Sequence, residues 1–230
     1  MRRDRLTFDA YLSVFSDGRF QQTFSYSLLC AVAAIVLGLV LVVPAAYFVR
    51  LRLQWLRPVM EFITLLPLIV PPIILVFGHI KLFNSSSLLP LTNSTLGTDI
   101  LLVCGYVTLA LPYMYRAIDT GLRAIDVRSL SEAAQSLGAG WFTVLAKVIL
   151  PNIIVAILSG AFLTFAIVIG EYVFAALLDR PAFGPYLVWA GSNKAYEPAA
   201  LAVMTFALTW GCMALIQLVP RLFKRQRAQR

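Results

Sequence analysis

Five long apolar stretches, separated by short polar ones, set the rhythm of this chain. They run from about Ser25 to Val49, Pro58 to Ile80, Asp99 to Ala117, Val148 to Leu178 and Pro198 to Leu218. Each is long enough, as a helix, to cross about 30 Å of hydrocarbon. Lipid offers the backbone no hydrogen-bond partners, and a helix satisfies its own. The pattern therefore predicts an all-α, polytopic membrane bundle of about five transmembrane helices. Residues 1–24 form an external N-terminal segment, 25–218 the transmembrane domain, and 219–230 a basic cytoplasmic tail.

One polar stretch, "EAAQSLGAGWFTVLAKVILP" from Glu132 to Pro151, interrupts the rhythm inside a loop spanning 122–151. Asp126 is placed to cap a helix running through Glu132, Ala133 and Ala134, because its short carboxylate accepts a hydrogen bond from a free backbone N–H. Alanine and glutamate are good helix formers. Gly138 stands where a helix ending in a left-handed residue needs glycine. Trp141 to Lys147 reads as a second short helix with Trp141, Val144 and Leu145 on one face. Pro151 marks entry into the fourth span, where a missing N–H costs least. The expectation is two short helices joined at a glycine elbow across the base of the bundle. An ordinary amphipathic loop and a rigid docking knob both satisfy this pattern.

Composition agrees with a membrane protein. The chain is 60% hydrophobic and 13% charged, and its mean hydropathy is +0.83. A soluble domain carries about twice that charge fraction. The net charge of +8 is read as basic cytoplasmic loops, with no nucleic-acid partner. Twelve Lys and Arg residues fall in the first loop, the elbow loop and the tail, against three on the opposite side (Lys81, Arg180 and Lys194). The elbow and the C-terminus are therefore expected to be cytoplasmic. Five spans then leave the N-terminus outside, although it begins "MRRDR" and carries Arg19. Cys30, Cys104 and Cys212 lie in apolar runs and read as small buried hydrophobes.

At the elbow the chain resembles the permease subunits of bacterial ABC importers, in particular the spermidine/putrescine type. Glu132-Ala133-Ala134, three residues, Gly138, nine residues, then Val148-Ile149-Leu150-Pro151 matches their EAA loop. The family has isoleucine more often at Val148 and serine at Gly140. The resemblance implies that Glu132, Ala133, Ala134, Gly138, Trp141, Leu150 and Pro151 couple the chain to a cytoplasmic ATPase. It also implies a second permease subunit in a heterodimer, two copies of the ATPase and a periplasmic or extracellular binding protein. The site is the inner membrane. Polyamine is the implied cargo, with ferric iron or an aminophosphonate as the alternative. The family's usual six spans make "LTFDAYLSVFSDGRFQQTFSYSLL" look like an external segment and the start of a second span, so a first span is expected to be missing.

Candidate pathway residues come next. Glu171 is the one acid deep within an apolar run, and such a group usually faces a bundle interior or a water-filled path. Tyr172 beside it either offers a cation–π face to an ammonium or simply packs. Pro67 and Pro71, with Pro72, interrupt the second span and serve equally as a fixed kink or a gate. Glu61 lies four residues after Arg57 and reads as a local ion pair. His79 stands alone, so no metal site is expected. No G-x-x-x-x-G-K-[ST] stretch exists to cradle phosphates, so ATP hydrolysis is expected on another subunit, with no cofactor here. No H-E-x-x-H, G-x-S-x-G or aspartate pair supports an intramembrane enzyme. A stand-alone channel would leave the elbow unexplained.

Overall fold

A computed structural model describes residues 9–194, 196–207, 209–211 and 214. Every regular element among the described residues is a helix, with no strand. A short helix α1 (Asp9–Ser16) leads into α2 (Gly18–Leu51), which Asp17 caps by accepting from the backbone N–H of Arg19 at 2.9 Å. α2 thus begins seven residues before the expected Ser25. The second span is two helices, α3 (Arg57–Ile69) and α4 (Pro72–Leu82), that meet at 103°. The expected continuous helix from Pro58 to Ile80 is broken for a local reason. Pro71 forces Val70 into extended backbone (ψ 122°), and Pro71 itself is extended (ψ 140°).

The third span is a single helix, α5 (Thr95–Arg123), capped by Ser94. The loop helix α6 (Val127–Ser136) follows, then α7 (Trp141–Asn152) and α8 (Ile154–Gly170), which meet at 80°. α8 ends at Gly170, so the fourth span stops short of the expected Leu178. A five-residue helix α9 (Val173–Leu177) and α10 (Phe183–Asn193) turn back towards the bundle. A further helix is described over 197–207. The rest of the expected fifth span and the basic tail 219–230, with Cys212, lie outside the described residues or only partly within them. Among the described residues, two helices are each long and apolar enough to cross a membrane, and four if each bent pair counts as one span.

α5 is the axis of the bundle, packing on α2, α8 and α3. Its contact with α8 is close because small residues face each other: a Cβ on Gly121 would lie 2.4 Å from Ala156 Cβ, and one on Gly160 would lie 3.5 Å from Ala117 Cβ. One turn separates each pair, the small-xxx-small spacing that lets membrane helices approach. The elbow end is called inner below, and the opposite end outer. One apolar cluster fills the outer half around Leu101, Tyr106 and Phe174. A second fills the inner half around Tyr47, Ile118 and Ile149.

Candidate coupling elbow and membrane groove

The elbow is built as its sequence requires. Asp126 Oδ1 accepts from Ser129 N at 3.1 Å, and the Ser129 hydroxyl donates to Asp126 Oδ2 at 2.7 Å. At the other end of α6, Gly138 N donates to Gln135 O at 2.9 Å and Ala139 N to Ala134 O at 3.1 Å. These are the two bonds of a Schellman motif, and they require a left-handed residue at Gly138, whose φ is +83°. α7 differs from the expected plain helix. It opens as one α turn, Trp141–Thr143, then widens to a π segment over Val144–Ile149, with Leu150 N donating to Leu145 O. Pro151 explains this: it has no N–H to offer the carbonyl of Lys147, and its ring crowds that carbonyl, so the preceding turn widens. Leu150 and Pro151 sit in the last turn of α7, and the chain bends at Ile153 rather than at the proline.

Packing divides the elbow into two faces. Val127, Ser131, Val144, Leu145 and Ile149 are buried in the inner cluster. Ser131 is the residue that the sequence pattern did not single out. Its hydroxyl lies 3.0 Å from the Tyr47 hydroxyl and also donates to Val127 O at 2.7 Å, and both side chains are buried. This pins α6 to α2. The opposite face is open: Glu132 pairs with Arg128 at 2.8 Å in full view of solvent, Ala133 is exposed, and Leu137, Trp141 and Phe142 are 89%, 54% and 67% exposed. Trp141 is anchored on one side by Phe48, 5.7 Å between ring centres. Large apolar side chains thus stay exposed on a pinned, capped turn, and exposed apolar patches commonly mark interaction sites.

Above the elbow, α3, α5 and α8 enclose a mainly apolar groove of about 520 Å³, lined by Leu65, Leu68, Pro112, Arg116, Val155 and Leu163 among others. A second, more polar groove of about 440 Å³ adjoins it along α3 and α5. The expected Arg57–Glu61 pair is present at 3.0 Å, and Arg123 joins it to Asp119. Pro67 lies inside α3, and Pro71 forms the corner beyond it.

The outer break is organised differently. Glu171 is 8% exposed, and its carboxylate accepts from Phe174 N at 3.0 and 3.1 Å and Ala175 N at 3.4 Å. It holds the start of α9. Tyr172 is 44% exposed. Gly184 presses on this corner, where a Cβ would lie 2.1 Å from the Glu171 carbonyl oxygen. Ser27 Oγ accepts from Phe183 N at 2.8 Å, and Arg180 pairs with Asp99 at 2.7 Å, clamping the turn to α2 and α5. His79 Nδ1 lies 2.8 Å from Leu75 O of its own helix, and its ring packs edge-to-face on Phe174, 5.6 Å between ring centres. No group of three potential metal ligands occurs among the described residues.

Comparison with known proteins agrees with this architecture. The profile of binding-protein-dependent transport system inner membrane components matches residues 34–228. The spermidine/putrescine transport system permease protein PotC of Escherichia coli K12 is 30% identical over 124 residues, 52% of this chain and 47% of that protein. The chain thus matches about half the length of that relative. A probable molybdenum ABC transporter permease of Haloferax volcanii is 31% identical over 177 residues, 72% of this chain and 64% of that protein. Among solved structures, a bacterial ABC transporter involved in alginate import superposes with a TM-score of 0.67 at 13% identity, covering 97% of this chain and 85% of that one. An amino acid ABC transporter superposes with a TM-score of 0.61 at 18% identity, covering 94% and 99%. With a profile match over most of its length and the same fold at both ends of the bundle, the chain belongs to the binding-protein-dependent transport system inner membrane component family.

Proposed function

We propose that this chain is one permease subunit of an ATP-driven polyamine importer and that its elbow receives the motion of a cytoplasmic ATPase. The observation that carries this reading is the knob itself. α6 is capped at both ends, pinned to the bundle by Ser131–Tyr47, and left with Ala133, Leu137, Trp141 and Phe142 facing outwards. A rigid knob transmits a push, whereas a flexible loop absorbs it. Glu132 and Gly138 shape the knob. Leu150 and Pro151 set its angle to α8. The complex on this reading contains a second, different permease, two ATPase copies and an external binding protein.

The groove between α3, α5 and α8 is this chain's half of the path, with the Pro67–Pro71 break as its upper edge and Glu171 and Tyr172 at the outer end. Polyamine as the cargo rests on the spermidine/putrescine relatives, and the molybdenum relative supplies the competing cargo class. The test uses membrane vesicles holding the full complex. Glu132→Lys should leave the chain in the membrane, since an exposed i,i+4 pair contributes only about 0–1 kcal/mol. It should sharply reduce substrate-stimulated ATP hydrolysis. Labelled spermidine or putrescine should be taken up, and Glu171→Gln, which keeps the acceptor oxygen for α9, should lower uptake while preserving protein level. Unchanged uptake in Glu171→Gln would reduce Glu171 to a helix cap. Uptake of molybdate but not polyamine would overturn the cargo.

A further inference from the structure

The outer connection from α4 to α5 carries Leu88-Leu89-Pro90 at its tip, between the polar flanks Asn84-Ser85-Ser86 and Asn93-Ser94. It is not a loose excursion. Phe83 O accepts from both Thr92 N and the Thr92 hydroxyl at 3.1 Å, closing the loop at its base. The Asn84 side chain donates to Lys81 O at 2.8 Å and accepts from Ser86 N at 2.8 Å. A 3-10 turn over Leu91–Asn93 rests on α5, where Gly97 leaves room for the Leu91 carbonyl. A compact loop with closed ends holds its tip in one place. Yet Leu88 at that tip is 102% exposed, and Leu89 is exposed beside it. A lone exposed leucine needs no explanation, whereas a contiguous apolar patch does.

The bare apolar surface continues on both sides of the loop. On α4, Ile73, Phe77 and Lys81 recur every four residues, as do Ile74, Gly78 and Leu82, and all six are exposed. That spacing puts them on one helix face. On α5, Leu96 and Ile100 are exposed at the same spacing, while Gly97, Leu101 and Leu102 are buried. The tip leucines therefore join the bare faces of two helices that belong to membrane spans. Lys81 is the charge on the α4 face, and its ammonium makes no ion pair among the described residues. A lysine near the end of such a helix lays its stem along apolar surface and keeps its ammonium among the headgroups. α4 has 11 residues, about 16 Å at 1.5 Å each, so its own length does not fix its depth in about 30 Å of hydrocarbon. We infer that residues 83–94 are an outer-leaflet anchor: Leu88 and Leu89 insert among phospholipid acyl chains, the Asn and Ser flanks lie at the interface, and Lys81 meets the headgroup phosphates. The anchor sets the height of α4, the half-span beyond the Pro71 corner. Apolar side chains that dip below the headgroups from a rigid support gain burial at little cost in ordering.

The test reads the surroundings of the tip in the assembled transporter, in right-side-out membrane vesicles, and needs neither cargo nor ATP. A photoreactive benzophenone side chain in place of Leu88 should, on irradiation, add the mass of one phospholipid to the chain. The same group in place of Ser85 should add far less. An adduct at position 88 with the second permease or with the external binding protein would overturn the inference and make the tip a protein-docking surface. The second measurement compares Leu88→Cys with Ser85→Cys under a membrane-impermeant maleimide, after subtracting the labelling of the parent. Leu88 is bare, so neither substitution disturbs packing. By exposure in the chain alone, Leu88→Cys would react at least as fast as Ser85→Cys. Under lipid the order reverses, and Leu88→Cys should label several-fold more slowly. Equal or faster labelling of Leu88→Cys, with no lipid adduct, would place the tip in water and overturn the anchor.

Discussion

At the inner end the chain turns on Gly138, and nothing lies within 4 Å of where its Cβ would be. At the outer end it turns on Glu171, and Gly184 is pressed so hard against that corner that a Cβ would meet backbone. The inner turn is held by its own neighbours: Asp126 and Ser129 at one end of α6, Gln135 and Ala134 at the other. The outer turn is held by groups far away in sequence, Ser27, Asp99 and Gly105, the last leaving room for the Phe174 ring. One corner is self-contained and offers an open face. The other is wedged into the bundle and offers little. A structure that must be pushed from outside without deforming has reason to be built the first way, and one that must hold helices together has reason to be built the second way.

The sharpest separation of the two comes from the glycines. Gly184→Val forces backbone apart at Glu171 and Tyr172, and overpacking of this kind costs about 3 kcal/mol. The expected result is a large loss of membrane-inserted protein and a lower Tm in detergent. Gly138→Val meets no neighbour and suffers only left-handed strain, about 1–2 kcal/mol. That variant should stay folded and inserted but lose ATPase stimulation, whereas Gly138→Asn, which tolerates the left-handed region, should retain it. Equal Tm losses at both glycines would erase the distinction.

A smaller effect tests how the knob is pinned. Ser131→Ala leaves the buried Tyr47 hydroxyl without its partner and should cost about 1–2 kcal/mol in thermal unfolding. Tyr47→Phe should cost a similar amount, and the double variant little more than either alone, because both remove the same contact. Fully additive losses would show that the two hydroxyls act separately.

The smallest effect is a pH dependence. The Ser129 hydroxyl and then its amide hold the Asp126 carboxyl below its usual value. A carboxylate lowered on folding stabilises above the unfolded value of about 4, and that contribution is lost as pH falls through the lower folded value. Hydrogen exchange at the Ser129 amide should therefore stay constant from about pH 7 to 5 and accelerate, after correction for intrinsic rates, only below about pH 4. Asp126→Asn, still a cap, should flatten that profile. A parent profile that changes between pH 5 and 7 would point to another group.

The same contrast explains what could be read from the residues alone. Asp126, Gly138 and the 103° corner at Pro71 follow from rules that act within a few residues, so cap, elbow and bend were foreseeable in kind. Pro67–Pro71 was expected only as a kink or gate, and the size of the bend needed coordinates. The π segment was not foreseen, because the effect of Pro151 on the turn before it depends on where α7 packs. The end of α8 at Gly170 was missed for a plainer reason. "FAIVIGEYVFAALL" is apolar on both sides of Glu171, and the turn there relies on the Glu171 carboxylate accepting from the Phe174 and Ala175 amides and on the close approach of Gly184, thirteen residues later. Ser131 looked like an ordinary polar residue because its partner, Tyr47, stands 84 positions away.

The close contact of Ala117 and Gly121 with Ala156 and Gly160 has a mechanical consequence. Two helices whose backbones meet through small residues have no side-chain cushion to compress and no slack through which to slide. α5 and α8 therefore behave as one stiff plate, with the elbow fixed to its lower rim. On the coupling reading proposed above, a push on the knob would not spread the two apart and would reach the plate as a whole. On that same reading, the groove would change width where its wall is not part of that plate, at α3 with its broken continuation α4. The stiff and the yielding walls of the groove would then be distinguished by their residues, glycine and alanine at the α5–α8 contact and proline at the α3–α4 break.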